Sequence, residues 1–158
     1  MKTSVAIIGA VVWLIVTFGA AAIGARFLPD EWYRALNKPA WNPPNSIFAP
    51  VWTVLYLLMA LAAWLVWRRY GIGGALLPLA LFVVQLALNS AWTYFFFGRH
   101  EIAGAFIDIL MLWLTILTTI ILFWRLVPLA GILLVPYLAW VSVASVLNGT
   151  IWRLNPGI

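Results

Sequence analysis

The sequence has no cysteine, a single histidine and only 8% charged residues. The absence of cysteine excludes a disulfide framework, a thiolate metal site and a cysteine nucleophile. The few polar residues form no catalytic triad, no paired carboxylates, no phosphate-binding glycine loop and no metal-ligand cluster, so we expect no metal site. The nine Lys and Arg residues stand singly or in one pair rather than on one basic face. We therefore expect no nucleic-acid partner.

The apolar content, in contrast, is too high for a soluble fold. Hydrophobic residues make up 66% of the chain, and the mean hydropathy is +1.06. Charged residues make up 8%, whereas soluble domains carry about 25%. Five runs nearly free of charge lie at residues 5–25, 47–67, 71–98, 102–124 and 126–152. Each run reaches the length of about 20 residues that a membrane-spanning helix needs. The sequence therefore predicts an all-α membrane protein built as a five-transmembrane-helix bundle.

The whole chain, residues 1–158, is interpreted as one transmembrane domain. The expected helices cover approximately residues 5–25, 47–67, 73–97, 102–124 and 128–152, with one long loop at 26–46. Lys2 and the alanines at 20–22 resemble the ends of a signal peptide. The first run is longer than the apolar core of a signal peptide, about 7–15 residues, which favours a spanning helix. Basic residues are divided almost equally between the two sides, so the membrane orientation stays open.

The long loop at 26–46 has the composition of a defined structure. Asp30 and Glu31 suit a first helical turn, which predicts a short helix over residues 31–36. Prolines at 39, 43 and 44 then exclude regular helix. The segment is too apolar to extend into water, since it contains Trp32, Tyr33, Leu36 and Trp41. We expect it to fold over one end of the bundle as a lid; the alternative is a belt of aromatic residues at headgroup depth.

Three of the expected spans carry polar and aromatic stripes. The third span places Gln85, Asn89, Trp92 and Phe96 on one face, the second Trp52 and Tyr56, and the fifth Tyr137, Trp140, Ala144 and Asn148. Amides are costly in hydrocarbon, so they should face the protein interior. The stripes favour an aromatic-lined cavity for a flat hydrophobic ligand. Interhelical hydrogen bonds that only join the helices, or lipid-facing belts, are the alternatives.

Four further residues are interpreted without a committed function. Asp108 is the one ionisable residue inside a run. Its position near the start of that run favours a residue that reaches the membrane surface, or pairs with Arg99 or a basic partner on a neighbouring loop, over a functional role. His100 is expected to be a solvated loop histidine, without ligand partners at metal spacing. Ala87 and Ala91 form a small-xxx-small pair that could serve a homodimer or the bundle itself.

The sequence also resembles the TspO/MBR family, the tryptophan-rich sensory and translocator proteins. The motif on which the resemblance rests is WYxxLxKPxWxPP, which begins at Trp32 and ends at Pro44. Further matches follow along nearly the whole chain: Trp52, Leu55, Tyr56, Asn89, Trp92, the Phe96–Gly98 end of the third span, Pro136, Tyr137, Trp140, Leu147 and Asn148. The eleven tryptophans also suit the family's name.

This resemblance implies a five-helix, usually dimeric protein of the bacterial cell membrane that binds porphyrins, such as protoporphyrin IX or haem, and benzodiazepine-type ligands. The implied ligand-binding residues are Trp32, Trp41, Trp52, Tyr56, Asn89, Trp92, Phe96, Tyr137, Trp140 and Ala144. A receptor or sensor in porphyrin homeostasis or stress regulation is the favoured function, with porphyrin as ligand and no obligatory cofactor. The alternatives are a light-dependent porphyrin-degrading enzyme, in which Trp32 and Trp140 would be catalytic, and a transporter of porphyrin or another apolar metabolite.

Overall fold

A computed structural model describes residues 3–157. Met1, Lys2 and Ile158 lie outside the described residues, and with them the charge of Lys2 that bears on orientation. The helices are α1 (Thr3–Gly24), α2 (Glu31–Ala35), α3 (Phe48–Gly74), α4 (Leu76–Thr93), α5 (Ile102–Leu126) and α6 (Pro128–Leu154). A 3₁₀ turn at Asn45–Ile47 precedes α3, and a π turn at Tyr94–Gly98 extends α4. Within residues 3–157 there is no strand.

Five of these segments are long and apolar enough to cross a bilayer: α1, α3 with its preceding turn, α4 with its π turn, α5 and α6. The predicted five-helix bundle is therefore confirmed, and the chain is a multi-pass integral membrane protein. The outer faces are apolar too, as in Ile7, Ile8 and Ile15, because lipid rather than water surrounds them. α3 continues past Arg68 and Arg69 to Gly74 and changes direction at Gly71, whose φ of 65° suits glycine.

Polar bonds between neighbouring spans fix the order of the bundle. The Trp64 indole donates to the Ala6 carbonyl at 2.9 Å and joins α3 to α1. The Ser90 hydroxyl donates to the Ala20 carbonyl at 2.9 Å and joins α4 to α1. α5 and α6 are connected through Val127 alone, so they must pack as antiparallel neighbours. The C-terminal ends of α4 and α6 and the N-terminal end of α5 therefore lie on the same side of the membrane as the long loop. These ends form the site described below.

The interior consists of two apolar clusters at different depths. The larger core cluster includes Met59, Phe82, Phe123 and Tyr137, all fully buried. The smaller cluster, called here the lid cluster, consists of Tyr33, Leu36, Phe96, Ile102, Ala105, Leu147 and Ile151. Tyr33 and Leu36 belong to the long loop, whereas the other members belong to the π turn after α4, to α5 and to α6. The loop is therefore part of the packed structure, which confirms the predicted structured cover at one end of the bundle.

Candidate functional site

The cover, called here the lid loop (residues 26–46), is built around the short helix α2. Asp30 caps this helix, because its Oδ1 accepts the Tyr33 N–H at 3.1 Å. That hydrogen bond, with a contribution from His100, lowers the pKa of the Asp30 carboxyl below its usual range. Burial raises the pKa of the Tyr33 phenol, because desolvation disfavours the phenolate. A dipeptide of acidic residues after Pro29 therefore starts the helix as the sequence predicts.

Lys38 closes the other end of α2. Its Nζ donates to the Tyr33 carbonyl at 2.7 Å and the Leu36 carbonyl at 2.9 Å, and lies 4.8 Å from the centre of the Tyr33 ring. The last carbonyls of a helix lack partners within the helix, and a cation there is also favoured by the helix dipole. Pro39 then prevents the chain from continuing as helix. The Lys-Pro pair thus sets the shape of the loop.

The lid loop is fastened to the end of α6 by two asparagines. Asn155 Oδ1 accepts the Asn37 N–H at 3.0 Å, and Asn155 Nδ2 donates to the Asn37 carbonyl at 2.9 Å. The same Nδ2 donates to the Ile151 carbonyl at 2.8 Å, so the side chain is held by its own helix. Asn155 is only 5% exposed. Asn155 is not among the predicted site residues, and its signal in the sequence is an Asn directly after the last span.

The other end of the lid loop contacts the connection between α4 and α5. The Trp32 ring stacks on the His100 imidazole with centroids 4.2 Å apart, and its edge contacts Phe96. His100 Nε2 also lies 2.9 Å from Asp30 Oδ2. The interpretation of His100 as a freely solvated loop residue is therefore wrong. Its partners come from a distant part of the sequence, and its φ of 58° lies in the left-handed region, which is uncommon for residues other than glycine.

Below the lid loop, buried polar side chains from three spans bond to one another. The Tyr56 hydroxyl donates to Asn89 Oδ1 at 2.7 Å, Asn89 Nδ2 donates to the Tyr137 oxygen at 3.1 Å, and the Tyr137 hydroxyl donates to Gln85 Oε1 at 2.8 Å. Each of the four residues is less than 9% exposed. We call them the amide–tyrosine layer. Gln85 Nε2 donates to Met59 Sδ at 3.8 Å, so each polar side-chain atom of the layer has at least one partner, and the desolvation cost of the amides is offset within the protein.

Aromatic rings lie against this layer and above it. Trp52 contacts both Tyr56 and Tyr137, with centroids 5.5 and 6.1 Å apart. Trp92 stacks on Phe96 at 5.2 Å, and its indole donates to Asn148 Oδ1 at 2.9 Å. The π turn places Phe96 under Trp32 and Tyr33. Rings of the lid loop therefore pack on those at the end of α4, whereas Trp52 of α3 packs on the tyrosines of the amide–tyrosine layer.

Most of the predicted site residues lie at the lid end of the bundle, but they differ in their contacts and in their exposure. Trp140 contacts Phe48 at the start of α3, and Ala144 is partly buried against the core cluster. Trp41, in contrast, is 49% exposed and lies at the outer side of the lid loop. The position of Trp41 depends on the turns around Pro39 and Pro43, which no periodic pattern in the sequence describes.

Asp108 differs most from its sequence interpretation. It is 3% exposed, and its Oδ2 is buried without a hydrogen-bond partner. Arg99, the suggested partner, instead bonds to Glu101 at 2.9 Å. The expectation that Asp108 pairs with Arg99 or reaches the membrane surface is therefore wrong. The residue lies on the buried face of α5, which the charge count along the sequence could not show.

These features define a class: a polytopic membrane protein of five spans, with a buried layer of amides and tyrosines beneath a folded, tryptophan-rich lid loop. The TspO/MBR family model matches residues 4–153. The chain is 43% identical over 150 residues to protein CrtK of Rhodobacter capsulatus, covering 92% of each chain. It is 46% identical to the tryptophan-rich sensory protein of Cereibacter sphaeroides, with 85% of this chain and 84% of the relative covered.

A human relative is similar over almost the same region. The chain is 40% identical to the translocator protein of Homo sapiens over 140 residues, which cover 85% of this chain and 83% of the relative. The family match extends over all five spans and the lid loop. The chain belongs to the TspO/MBR family.

Proposed function

We propose that this protein binds tetrapyrroles, such as protoporphyrin IX or haem, between the lid loop and the amide–tyrosine layer. The observation that carries the proposal is the convergence of Trp52, Trp92 and Phe96 with a hydrogen-bonded floor made by Tyr56 and Asn89. A flat apolar macrocycle stacks on aromatic rings, and its polar edges need hydrogen-bond partners in a water-poor site. Benzodiazepine-type molecules share this flat apolar chemistry and suit the same site.

Ligand entry requires the lid loop to move or the rings beneath it to rearrange. The loop is held by side-chain bonds at Asn155 and at Asp30 and by the packing of Tyr33 and Leu36 in the lid cluster, rather than by continuous secondary structure. Such local contacts can open without unfolding the bundle. A tetrapyrrole that changes the population of the open loop would change the surface seen by other molecules. This supports a receptor or sensor function in porphyrin homeostasis or stress regulation.

Tryptophan fluorescence tests the binding. Protoporphyrin IX titrated into the full-length protein in nanodiscs should quench the fluorescence to a saturable end point. Asn89→Leu removes the centre of the floor and Trp140→Ala removes a ring, so both should weaken the apparent affinity by about ten-fold or more. Trp124→Phe is the matched control, since Trp124 is exposed on the outer face of α5. Quenching that rises linearly with concentration in every variant would reject the proposal.

Light-dependent degradation of the porphyrin is a second candidate. It is favoured by the position of Trp32, whose ring is stacked on His100 and contacts Phe96 at the lid end. An indole there could donate an electron to an excited porphyrin without acid–base chemistry. Porphyrin loss under illumination that disappears in Trp32→Phe and Trp140→Phe would support turnover. Equal porphyrin loss in both variants and in wild type would reject degradation by these tryptophans and would leave the proposed binding unaffected.

We also propose a homodimer as the working form in the bilayer. Ala87 is exposed on the outer face of α4, and Ala91 on the same face is half-buried. Small residues four apart allow the backbones of two helices to approach closely. Ala87→Leu should lower the dimer fraction in single-molecule photobleaching, whereas Leu114→Ala on the exposed face of α5 should not. A monomeric wild-type protein at all lipid dilutions would reject the dimer.

A further inference from the structure

Asp108 lies where the two apolar clusters of the interior meet. On the buried face of α5, Ile102 and Ala105 belong to the lid cluster, whereas Ile109 and Leu112 belong to the core cluster. Asp108 is between these pairs in sequence and is itself 97% buried, since its exposed fraction is 3%. The carboxyl group is therefore buried between the two apolar clusters and is not at the membrane surface.

The depth of Asp108 matches that of the ligand site. The two helices are antiparallel, and two contacts set their register: Gly131 lies against the Trp124 backbone, and the Trp113 indole donates to Ser142 Oγ at 2.8 Å. Counting from either contact places Asp108 opposite Leu147, one position from Asn148. Asp108 is therefore at nearly the same depth as Asn148 and the Trp92 indole that donates to it.

This carboxyl group has no counter-charge within residues 3–157. Ion pairs in this part of the chain join Arg34 to Glu31, Arg99 to Glu101 and His100 to Asp30. The Asp108 Oδ2 accepts no hydrogen bond. A buried ionised carboxylate without a partner is costly, and acids inside membrane proteins usually serve a ligand, an ion or a proton. The protein therefore leaves this carboxyl oxygen free to accept a hydrogen bond from a donor that a ligand would bring.

We propose that Asp108 is a ligand-recognition residue that makes the inner end of the site select a protonated amine on an aromatic ligand and disfavour a carboxylate. An ammonium group supplies both the missing charge and hydrogen-bond donors for the free oxygen. The proposal rests on the proposed function in using the same site, and it adds a charge preference. For a tetrapyrrole, the same carboxyl group turns the acidic side chains of the macrocycle away from α5 and toward the lid loop.

Three probes with the same ring and different charge test this preference. Naphthalen-1-ylmethylamine is cationic, naphthalene-1-methanol is neutral and 1-naphthoate is anionic. Each is titrated calorimetrically into the full chain in phosphatidylcholine nanodiscs, whose headgroups carry no net charge. The wild type should bind the amine about ten-fold or more tightly than the alcohol, and the carboxylate most weakly. Asp108→Asn should bring the amine and the alcohol within about two-fold of each other.

Glu101→Gln is the matched control, because it makes the same chemical change at an exposed acid whose partner is Arg99. It should keep the amine preference. Equal binding of amine and alcohol by the wild type, or an unchanged preference in Asp108→Asn, would overturn the proposal. If Asp108→Asn does not fold, the wild-type ranking of the three probes still decides. Protoporphyrin IX is titrated in parallel, so its failure to bind with the amine preference intact would reject the tetrapyrrole function alone.

Discussion

Asn37 and Asn155 hold each other through two hydrogen bonds, although 118 positions separate them in the chain. The Asn155 side-chain amide pairs with both backbone groups of Asn37: its Oδ1 accepts the N–H at 3.0 Å, and its Nδ2 donates to the carbonyl at 2.9 Å. Asn155 is buried and bonded to Ile151, so the lid loop is attached to a rigid point on α6. The opening of the loop should depend on this pair.

We therefore expect Asn155→Ala to loosen the lid loop without unfolding the bundle. The substitution removes both bonds to Asn37 and leaves the Asn37 backbone groups without partners, a loss of about 1–3 kcal/mol. Amide hydrogen exchange over residues 31–38 should accelerate by about ten-fold or more. Asn45→Ala, at an exposed position in the same loop, is the control. Equal protection of the loop in Asn155→Ala and wild type would contradict the assigned role.

The bond between Tyr56 and Asn89 makes a second prediction. Tyr56→Phe removes the donor and leaves Asn89 Oδ1 buried without that bond, which should lower the free energy of unfolding by about 0.6–2 kcal/mol in a bilayer. Asn89→Leu should cost more, because it leaves the hydroxyls of both Tyr56 and Tyr137 short of a partner. Thermal unfolding in nanodiscs measures both effects.

The control and the coupling test for this layer follow from the same contacts. Tyr70→Phe removes an exposed hydroxyl that donates to the Leu126 carbonyl, so it should change the melting temperature least. In the double variant of Tyr56→Phe and Asn89→Leu the two losses should be less than additive, since they share one bond. Strictly additive losses would show that the two side chains do not act together.

The capping bond of α2 predicts a titration at low pH. The Tyr33 N–H, and after it His100, lowers the pKa of Asp30 below its usual value of about 3.9. A carboxyl group with a lowered pKa in the folded state adds stability above its unfolded pKa and loses that contribution as the pH falls through the folded pKa. The Tyr33 amide shift in ¹⁵N NMR should therefore titrate with a midpoint below about 3.9.

Asp30→Asn is the variant for this titration. The Asn side chain keeps an acceptor for the Tyr33 N–H but has no charge to lose, so the amide shift should become flat across the acid range. Glu31→Gln, at the neighbouring exposed acid, should keep the titration. A midpoint at or above that of an unperturbed aspartate in the wild type would contradict the assignment of the capping bond.

The spans and the inward-facing residues could be predicted because lipid imposes simple rules. Apolar length gives the spans, and the three- and four-residue spacing of Asn89, Trp92 and Phe96 gives one helix face. The partners could not be predicted, since periodicity says which face is buried but not which atoms meet. Asn155 bonding to Asn37 and His100 stacking on Trp32 both depend on how distant segments are placed at the lid end.

Asp108 shows the same limit in a single residue. Its distance from the start of the run suggested the membrane surface, and only the packing of α5 between the two clusters shows that it is buried. The ends of the helices were also difficult to predict from the sequence. Arg68 and Arg69 suggest an end at Trp67, yet α3 continues through both arginines and changes direction only at Gly71. The Arg68 guanidinium lies 5.1 Å from the centre of the Trp64 ring.

The junction of α5 and α6 gives the last prediction. The helices are joined by Val127 alone, and Gly131 in the first turns of α6 lies directly against Trp124. A Cβ on Gly131 would stand 3.0 Å from the Trp124 backbone N and Cα and 2.9 Å from its Cβ. Backbone atoms cannot rotate away, so Gly131→Ala should force the two helices apart at their junction and cost about 1–3 kcal/mol.

Gly19→Ala is the matched control, because a Cβ there meets nothing within 4 Å and α1 should tolerate or gain from the better helix former. Thermal unfolding in nanodiscs should show a clear loss for Gly131→Ala and none for Gly19→Ala. The loss has a structural readout as well, since the Trp113 indole donates to Ser142 Oγ at 2.8 Å across the same helix pair. Its indole N–H resonance should shift in Gly131→Ala, and an unchanged resonance with an unchanged melting temperature would mean that the junction relaxes without straining α5 and α6.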